Sequence, residues 1–364
     1  MASNSFGNLL RITTWGESHG KGIGVVIDGC PAGLPLSTDD INVDLRRRAP
    51  AGNNPYTTPR KEQDQGEIFS GVFEGKTTGA PIAIIIPNQN ADSSKYEPIK
   101  NILRPGHANF TYLEKYGCFD YRGGGRASAR ETACRVAAGA VAKKLLMHYK
   151  VDVVAYIKAI GNVTMNKAFA DLSTLKQQRD MSPVYCPETI TANAMMESIA
   201  NAKENGDSLG GVVEFATAGL PIGLGDPIYE KLEANLAKAM MSLPATKGFA
   251  IGEGFNASRM QGAEHNDAFY TEAGATKLSS NNAGGTLGGI STGEVLRGQV
   301  AFKPTSSIKK SQQSVNLQGD QQDFKLPEGS RHDPCVAIRA VPVIEAMLAL
   351  TLADALLLNR SAKL

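Results

Sequence analysis

Residues 121–135 read Tyr-Arg-Gly-Gly-Gly-Arg-Ala-Ser-Ala-Arg-Glu-Thr-Ala-Cys-Arg. Three consecutive glycines precede an alanine-rich segment that predicts a helix. Ser128 and Glu131 have the S-x-x-E spacing of a capping box, so we expect the helix to begin at Ser128. A helix N-terminus offers unpaired N–H groups, and glycines let a ligand approach the backbone. We interpret the stretch as a receptor for a phosphorylated or multiply carboxylated molecule; the alternative is a glycine loop before a packed helix with solvated arginines.

Composition narrows the class of protein. The chain has 364 residues, of which 42% are hydrophobic and 20% charged, as is typical of a soluble globular protein with a large core. The net charge of only +2 argues against a general nucleic-acid binder. Five scattered cysteines without a C-x-x-C pair indicate reduced thiols in a cytoplasm. No uninterrupted apolar run reaches about 18 residues, so we expect neither a membrane span nor a signal peptide.

Apolar patterning predicts strands at 22–28, 81–87, 151–157 and 211–216. It predicts helices at 38–49, 129–149, 187–205, 226–242 and 341–358, the last apolar enough to be buried. These elements do not alternate in a regular βαβ order, which disfavours a Rossmann fold or a TIM barrel. The pattern alone therefore predicts one large domain of the α/β type. The polar segment 303–322 is either a mobile loop near a site or a surface excursion.

Two loops carry a histidine beside glycine. They are Gly16-Glu17-Ser18-His19-Gly20 and Arg104-Pro105-Gly106-His107. Histidine is suited to proton transfer near neutral pH. A cation beside His107 favours the neutral imidazole, whereas a bound anion favours the protonated form. Each loop can also be read as a turn with an incidental histidine.

Several other patterns exclude common chemistries. The motif Arg331-His332-Asp333-Pro334-Cys335 and the remaining histidines lack metal-ligand spacing, so we predict no structural metal. The segment 71–77 has three residues between its glycines where a P-loop needs four, and 123–125 lacks the third glycine of a dinucleotide fingerprint. The G-x-S-x-G letters around Ser18 lead into a predicted strand, which argues against a serine hydrolase.

Five motifs in order resemble those of the chorismate synthase family. They are Gly16–Gly20, Arg104–Ala108, Tyr121–Glu131, Lys303-Pro304-Thr305-Ser306-Ser307 and Arg331–Cys335. The resemblance runs from about Gly7 to Met347 and implies an α+β fold. That fold is a single-domain β-α-β sandwich over residues 1–364, with helices packed between two antiparallel sheets and assembly as a homotetramer.

The resemblance also implies an activity. The family converts 5-enolpyruvylshikimate 3-phosphate to chorismate and phosphate by an anti-1,4-elimination, which is the final common step of the shikimate pathway. The reaction requires reduced FMN without net redox change. A substrate with two carboxylates and a phosphate accounts for clustered arginines on a nearly neutral protein. No nucleic acid or membrane is implied as a partner.

Site roles follow where the residues match the family. His19 resembles the general acid that protonates the departing phosphate, and His107 the histidine that interacts with the reduced flavin. Asp333 resembles the acid–base group that receives the ring proton, with Ser18 and Ser128 as supporting hydroxyls. The implied FMN contacts are Arg126, Ala127, Ser128, Pro244, Ala245, Gly288, Lys303, Pro304, Thr305, Ser306, Ser307 and Arg331. The implied substrate contacts are Arg48, Arg130 and Arg339.

The chain departs from the family pattern at three places. One is Pro244, which stands where a polar residue is common before Ala245, so its FMN contact would be through the backbone only. Asn109 stands where aspartate is common, and residues 51–55 lack an arginine in a region implied to contact a nicotinamide cofactor (NADP). Since no extra nicotinamide domain is visible, we predict a monofunctional cytoplasmic enzyme that uses reduced flavin from an external source. The alternatives are a flavin reductase that uses the same FMN site and a non-catalytic module that binds phosphate or a nucleotide.

Overall fold

The computed structural model describes residues 3–50, 54–59, 63–89, 92–167, 169, 171–330 and 332–363. The strands are β1 (Ser5–Phe6), β2 (Arg11–Gly16), β3 (Gly22–Asp28), β4 (Glu67–Ile68), β5 (Val72–Phe73), β6 (Lys76–Thr77), β7 (Ile82–Pro87), β8 (Asp152–Ile160), β9 (Val163–Thr164), β10 (Gly211–Ala218), β11 (Thr246–Ile251), β12 (Phe269–Glu272), β13 (Ala275–Leu278), β14 (Thr286–Leu287), β15 (Ile290–Ser291), β16 (Arg297–Phe302), β17 (Gln312–Val315) and β18 (Gln321–Phe324). The helices are α1 (Thr38–Arg48), α2 (Asn109–Tyr116), α3 (Thr132–His148), α4 (Leu172–Asp180), α5 (Thr189–Glu204), α6 (Leu232–Met241), α7 (Gly262–His265) and α8 (Ala337–Asn359). Short 3₁₀ helices cover Ser94–Ile99, Gly125–Ala127, Ala129–Glu131 and Gly254–Arg259.

Two five-stranded antiparallel sheets enclose a layer of helices. The first sheet has the order β1-β2-β3-β7-β4 and the second the order β11-β16-β10-β8-β9. In the helical layer α3 packs on the first sheet, α8 packs on the second, and the two helices pack on each other. The fold is therefore α+β, with helices between two antiparallel sheets, as the resemblance implied. The α/β-type expectation from patterning alone is wrong.

Helix α8 is the central element of the core. By length and composition it could cross a membrane, with a mean hydropathy of 2.0, but 89% of its most apolar stretch is buried inside the protein. Its neighbour α3 is rich in alanine and buried along most of its length. A helix that is apolar on all sides is suited to burial from both sides. The buried helix predicted at 341–358 is confirmed, and it begins earlier, at Ala337.

One buried carboxylate links this layer to the second sheet. Glu345 of α8 is 2% exposed and accepts hydrogen bonds from Arg47 (2.6 Å), Lys143 (2.9 Å), Arg179 and the backbone N–H of Ala155 (3.0 Å). Burial opposes the charged form, but the three cations hold the pKa of Glu345 well below its usual value. The network fixes Arg47 in the last turn of α1. The next residue, Arg48, lines the candidate site.

The predicted strands and helices are present, but several boundaries differ. The helix expected at 226–242 begins only at Leu232, because Pro227 lies in a turn that includes Ile228 with φ +71°. The segment 303–322 contains β17 of the β17–β18 hairpin. The backbone of Val315 in this hairpin accepts a hydrogen bond from Leu103 N–H at 3.0 Å, just before the Arg104–His107 turn. The segment therefore braces one wall of the candidate site.

Gly139 lets α3 and α8 approach at backbone distance. A Cβ added there would lie 2.3 Å from the Cβ of Ala346. Alanine normally stabilises a helix interior by about 1 kcal/mol relative to glycine, but this overlap costs about 1–3 kcal/mol or more. We expect Gly139→Ala to lower the free energy of unfolding, measured by denaturant titration. Gly262→Ala in α7 is the control, since nothing lies within 4 Å of its added Cβ, and it should be neutral or stabilising. Equal stability of the two variants would contradict the close packing.

Candidate active site

A cavity of ≈ 390 Å³ gathers most of the residues singled out in the sequence. Its walls come from loops that are far apart in the chain and meet beside the helical layer. Among the described residues that line it are five cations and one carboxylate, so it is electropositive. The predicted site residues that line it are Ser18, His19, Arg48, His107, Ala127, Ser128, Arg130, Pro244, Ala245, Lys303, Pro304, Thr305, Ser306, Ser307, Asp333 and Arg339.

Two of the predicted site residues that the structure describes, Arg126 and Gly288, are not part of this lining. Arg126 directs its guanidinium to the backbone oxygen and hydroxyl of Thr14, at 2.7 and 2.6 Å, and lines a neighbouring cavity. Gly288 lies in the β14–β15 turn, away from the lining residues described here. Arg331 lies outside the described residues.

Each of the three consecutive glycines packs against a different side chain. A Cβ on Gly123 would lie 2.4 Å from the ring of His19, and one on Gly124 would lie 2.8 Å from the ring of His107. A Cβ on Gly125 would lie 3.1 Å from Asp120. All three residues have positive φ, a conformation that L side chains rarely adopt. The turn therefore holds both candidate catalytic imidazoles against bare backbone.

The helix after this turn does not begin as the sequence predicted. Ser128 does accept a hydrogen bond from Arg130 N–H (3.3 Å), but Glu131 does not complete a capping box. Instead, the carboxylate of Glu131 binds the Thr14 hydroxyl (2.8 Å) and the Arg135 guanidinium (2.8 Å). Glu131 is therefore engaged by Thr14 of β2 and by its i+4 neighbour Arg135 instead of by the cap, and a 3₁₀ turn precedes α3.

His19 is held by groups on three sides. Its Nδ1 lies 2.9 Å from the Ser93 hydroxyl, and its ring meets the Tyr96 ring edge-on at 5.3 Å between centroids. Gly123 supports the opposite edge of the ring. A hydrogen bond at one ring nitrogen fixes the orientation of the imidazole and the role of the other nitrogen. No sequence pattern predicts the role of Ser93, which lies 74 residues from His19 in the chain.

His107 lies in a turn that two cations clamp. Lys303 Nζ donates to the Gly106 carbonyl (2.7 Å), and Arg104 donates to the Ser307 hydroxyl (2.9 Å). Burial, with Arg104 and Lys303 nearby, lowers the pKa of His107 to about 4, so the imidazole is neutral at physiological pH. An anion bound against these cations would reverse their effect, as the sequence suggested.

Asp64 organises two of the predicted substrate arginines. Its fully buried carboxylate accepts from Arg48 Nη1 (2.6 Å) and from Arg130 Nη1. Arg48 also donates to the Ala129 carbonyl (2.7 Å) and the Thr132 hydroxyl (3.2 Å). These contacts preset both guanidiniums, which saves the reorganisation that a ligand would otherwise have to induce. No motif marks Asp64, because it lies in a loop without periodicity.

Arg339 and Asp333 form a pair at the edge of the cavity. Arg339 Nη1 donates to Asp333 Oδ2 (2.9 Å), and Thr58 N–H donates to Asp333 Oδ1 (2.9 Å). Arg339 Nε donates to the backbone carbonyl of Arg48 (3.1 Å), which joins this pair to the arginine cluster. An ionised carboxylate has about four acceptor sites, so Asp333 can accept further hydrogen bonds from a ligand.

Unsatisfied groups in the cavity wall point to a missing ligand. Arg104 Nη1 and Thr305 Oγ1 are buried without a partner in the described part of the chain. Such groups cost about 1–3 kcal/mol each unless a ligand or water pairs with them. Ala245 holds φ +68°, the left-handed region that disfavours a residue with a side chain. Cations, orphaned donors and local strain together fit a bound anion with oxygen acceptors.

The described residues contain no group of three or more His, Cys, Asp or Glu that could hold a metal ion. The histidines, carboxylate and guanidiniums that line the cavity are suited to proton transfer and anion binding. Two imidazoles, one carboxylate and fixed guanidiniums around one cavity suit elimination or transfer of an anionic group.

Comparisons with known proteins agree with one another. The family model described as chorismate synthase matches residues 10–357. A chorismate synthase of Protochlamydia amoebophila is 56% identical over 100% of both chains. One of Methanosarcina mazei is 50% identical over 98% of this chain and 97% of its own.

A solved structure gives the same result. A protein described as "Crystal Structure of Chorismate Synthase" superimposes with a TM-score of 0.76 at 34% identity. The match covers 96% of this chain and 92% of that chain. Sequence and structure comparisons therefore both extend over nearly the whole chain.

Proposed function

Because this chain belongs to the chorismate synthase family, whose members are carbon–oxygen lyases acting on phosphates, we propose that it eliminates phosphate and a ring proton from 5-enolpyruvylshikimate 3-phosphate to give chorismate. The observation that carries the proposal is one electropositive cavity with two seated imidazoles. In the anti-1,4-elimination one C–H bond and one C–O bond break, and the ring gains a double bond. The phosphate leaves with the C–O electron pair.

Arg48, Arg130 and Arg339 bind the anionic groups of the substrate in this proposal. Asp64 and backbone carbonyls support the first two guanidiniums, and Asp333 supports the third. Such fixed charge stabilises an anionic leaving group more than flexible surface cations would. The substrate carries two carboxylates and a phosphate, which matches several guanidiniums that converge on one cavity.

His19 and Asp333 move the two protons. His19 donates a proton to the departing phosphate, which is a poor leaving group when fully ionised. Ser93 at Nδ1 keeps the imidazole oriented for this role. Asp333 accepts the ring proton, held in place by Thr58 N–H and Arg339. Ser18 and Ser128, which also line the cavity, act as supporting hydroxyls.

Reduced FMN is the proposed cofactor, and the residues of the cavity support this assignment. Lys303, Arg104 and the orphaned Thr305 hydroxyl offer cations and a donor for its phosphate and ring oxygens. Reduced FMN, when bound, supplies electron density that stabilises the electron-deficient allylic centre and is not consumed. His107, which lies beside Lys303, interacts with the flavin and influences its protonation. The further proposed contacts are Arg126, Ala127, Ser128, Pro244, Ala245, Gly288, Pro304, Ser306, Ser307 and Arg331.

The test is an anaerobic assay with 5-enolpyruvylshikimate 3-phosphate and chemically reduced FMN, in which chorismate absorbance and phosphate release are followed together. We expect both products in equal amounts, and none with oxidised FMN. Binding of reduced FMN without either product would instead support a flavin reductase or a non-catalytic binding module.

We propose that the enzyme is monofunctional and takes reduced flavin from an external source. Incubation of the purified protein with NADPH and FMN in the dark should leave the flavin oxidised. Flavin reduction under these conditions would show an intrinsic reductase and overturn this part of the proposal.

The last part of the proposal concerns the domain organisation, the oligomeric state and the cellular location of the protein. We propose one domain over residues 1–364, a homotetramer, and a cytoplasmic location. A single hydrophobic cluster that includes strands of both sheets supports one domain. Exposed Tyr229, Phe255 and Phe269, which are 89%, 84% and 68% accessible, support self-association. All five cysteines are free, which suits a reducing compartment.

A further inference from the structure

His107 separates the active-site cavity from a second, smaller one. The second cavity has a volume of ≈ 200 Å³, and Asn109, Tyr112, Phe119 and Gly124 are among its lining residues. His107 lines both cavities together with Ala108 and Ala127, so these three residues lie between the two as their shared wall. The state of the His107 ring therefore depends on groups that the proposed substrate and flavin contacts do not include.

Two buried polar atoms beside this wall lack partners. They are Nδ1 of His107 and Oδ1 of Asn109, and neither makes a hydrogen bond within the described residues. Asn109 is the first residue of α2 and is only 5% exposed, so solvent does not reach its amide freely. Leaving two such atoms unpaired costs about 1–3 kcal/mol each. A protonated Nδ1 is a donor and Oδ1 is an acceptor, so each supplies what the other lacks.

The Cε1–Nε2 edge of the His107 ring lies against Gly124. The atoms nearest to a Cβ on Gly124 are Cε1 and Nε2 of His107, at 2.8 and 3.0 Å. Of the two ring nitrogens, only Nδ1 is both sealed from solvent and unpaired among the described residues. Nε2 is therefore the nitrogen that a ligand or water can reach.

We propose that Asn109 is a positioning residue for His107: its amide carbonyl accepts a hydrogen bond from Nδ1–H, which leaves Nε2 to exchange a proton with the bound ligand. In this arrangement each of the two unpaired atoms gains the partner that it lacks. The role of that proton in turnover rests on the function proposed above. The tautomer itself does not, because it is a property of the ligand-free protein.

A neutral acceptor has a specific consequence at this position. Burial and Arg104 lower the pKa of His107 to about 4, with Lys303 acting in the same direction, while the nearby Asn109 amide, as an acceptor facing the ring, raises the pKa and partly offsets them. The amide fixes the tautomer without adding a negative charge, so the ring stays neutral until an anion binds nearby. The other charged or titratable groups that line the two cavities are Glu17, His19, Arg48, Tyr96, Tyr112, Tyr116, Cys118, Asp120, Arg126, Arg130, His332, Asp333 and Arg339.

The test is NMR of ¹⁵N-histidine-labelled protein without ligand, with the His107 signals assigned from the spectrum of His107→Gln. We expect wild-type His107 to carry its proton on Nδ1. Asn109→Leu should shift the population toward the Nε2–H tautomer. Asn109→Asp should keep the Nδ1–H form and raise the pKa of His107 by about 1–3 units, since a carboxylate favours the imidazolium.

The control is Glu114→Gln, which changes a charge on the exposed face of the same helix and should alter neither the tautomer nor the pKa. An Nε2–H tautomer in the wild type would overturn the proposal, as would an unchanged tautomer in Asn109→Leu. If Asn109→Leu does not fold, an unchanged His107 pKa in Asn109→Asp would overturn it. If the tautomer is as expected but the protein releases no phosphate from the substrate, then the proposed function fails and the positioning role stands.

In the active enzyme the variants should also separate positioning from binding. Asn109→Leu is expected to lower kcat at least tenfold with little change in KM, because Asn109 does not line the active-site cavity. Asn109→Asp should move the pH limb that reports His107 in the same direction as its NMR pKa. A loss of activity without a moved pH limb or a changed tautomer would indicate a merely structural role and overturn the proposal.

Discussion

Replacing His19 with alanine is expected to lower kcat by about 10²–10⁴-fold while the protein remains folded. A positioned general acid contributes about this much, and without it phosphate must leave as a more highly charged anion. The ring is partly exposed and held by Ser93, Tyr96 and Gly123, so its loss removes few core contacts. The measurement is the anaerobic turnover number with reduced FMN, together with a thermal melt of each variant.

His148→Ala is the control, because His148 lies exposed at the end of α3, away from the cavity. Added imidazole should restore part of the turnover of His19→Ala, since the vacated space can admit a free base, and it should not change the control. Full turnover of folded His19→Ala would refute the assignment. Reduced turnover that imidazole and pH leave unchanged would point to a positional role instead.

The second large effect is expected on stability, at Asp64. Asp64→Ala leaves the buried Arg48 and Arg130 guanidiniums without their shared counterion. Removing one partner of a buried ion pair costs about 3–5 kcal/mol, because the remaining charge is uncompensated. We expect a loss of this size in the free energy of unfolding, measured by denaturant titration, and a raised KM for the substrate.

The contribution of Asp64 to the free energy of unfolding is expected to change with pH in one direction. Burial raises the pKa of Asp64, but Arg48 and Arg130 outweigh it and hold the pKa below its ordinary value. The stabilisation is therefore present above about pH 4 and is lost as acid protonates the carboxylate. The difference between the wild type and Asp64→Ala should shrink in strong acid.

Glu272→Ala is the matched control for Asp64→Ala. Glu272 pairs with Lys277 on an exposed hairpin, where an ion pair contributes about 0–1 kcal/mol. Added phosphate or sulfate should restore part of the stability of Asp64→Ala by pairing with the two guanidiniums that Asp64 binds in the wild type, and should not act on the control. Equal stability of the two variants would contradict the role given to Asp64.

Much of the architecture could be predicted because the decisive residues are local. Continuous apolar runs indicated β3, β7 and α8, and consecutive glycines marked a turn that no side chain could occupy. The order and antiparallel pairing of the strands followed only from the family resemblance, since patterning gives no strand partners. The sequence signal for the start of a helix was also misleading where other contacts competed for the side chain. The carboxylate of Glu131 binds Thr14 and Arg135 instead of completing the capping box.

The supporting residues of the site could not be predicted for a related reason. Ser93 and Asp64 are single polar residues in segments without repeat or spacing. Their importance arises from what lies opposite them in space, which is His19 for Ser93 and a pair of arginines for Asp64. Long-range partnerships of this kind leave no mark on the local sequence.

The position of α8 has a consequence for how the protein is made. This helix lies in the middle layer of the fold, yet its residues, 337–359, come later in the chain than every strand of the two sheets and every other helix described here. Until α8 emerges from the ribosome, α3 and the second sheet lack the helix that packs against both of them. The elements made first therefore cannot complete this core during synthesis and must wait for α8. Termination before Ala337 would leave a molecule without the centre of its core rather than a slightly shorter enzyme.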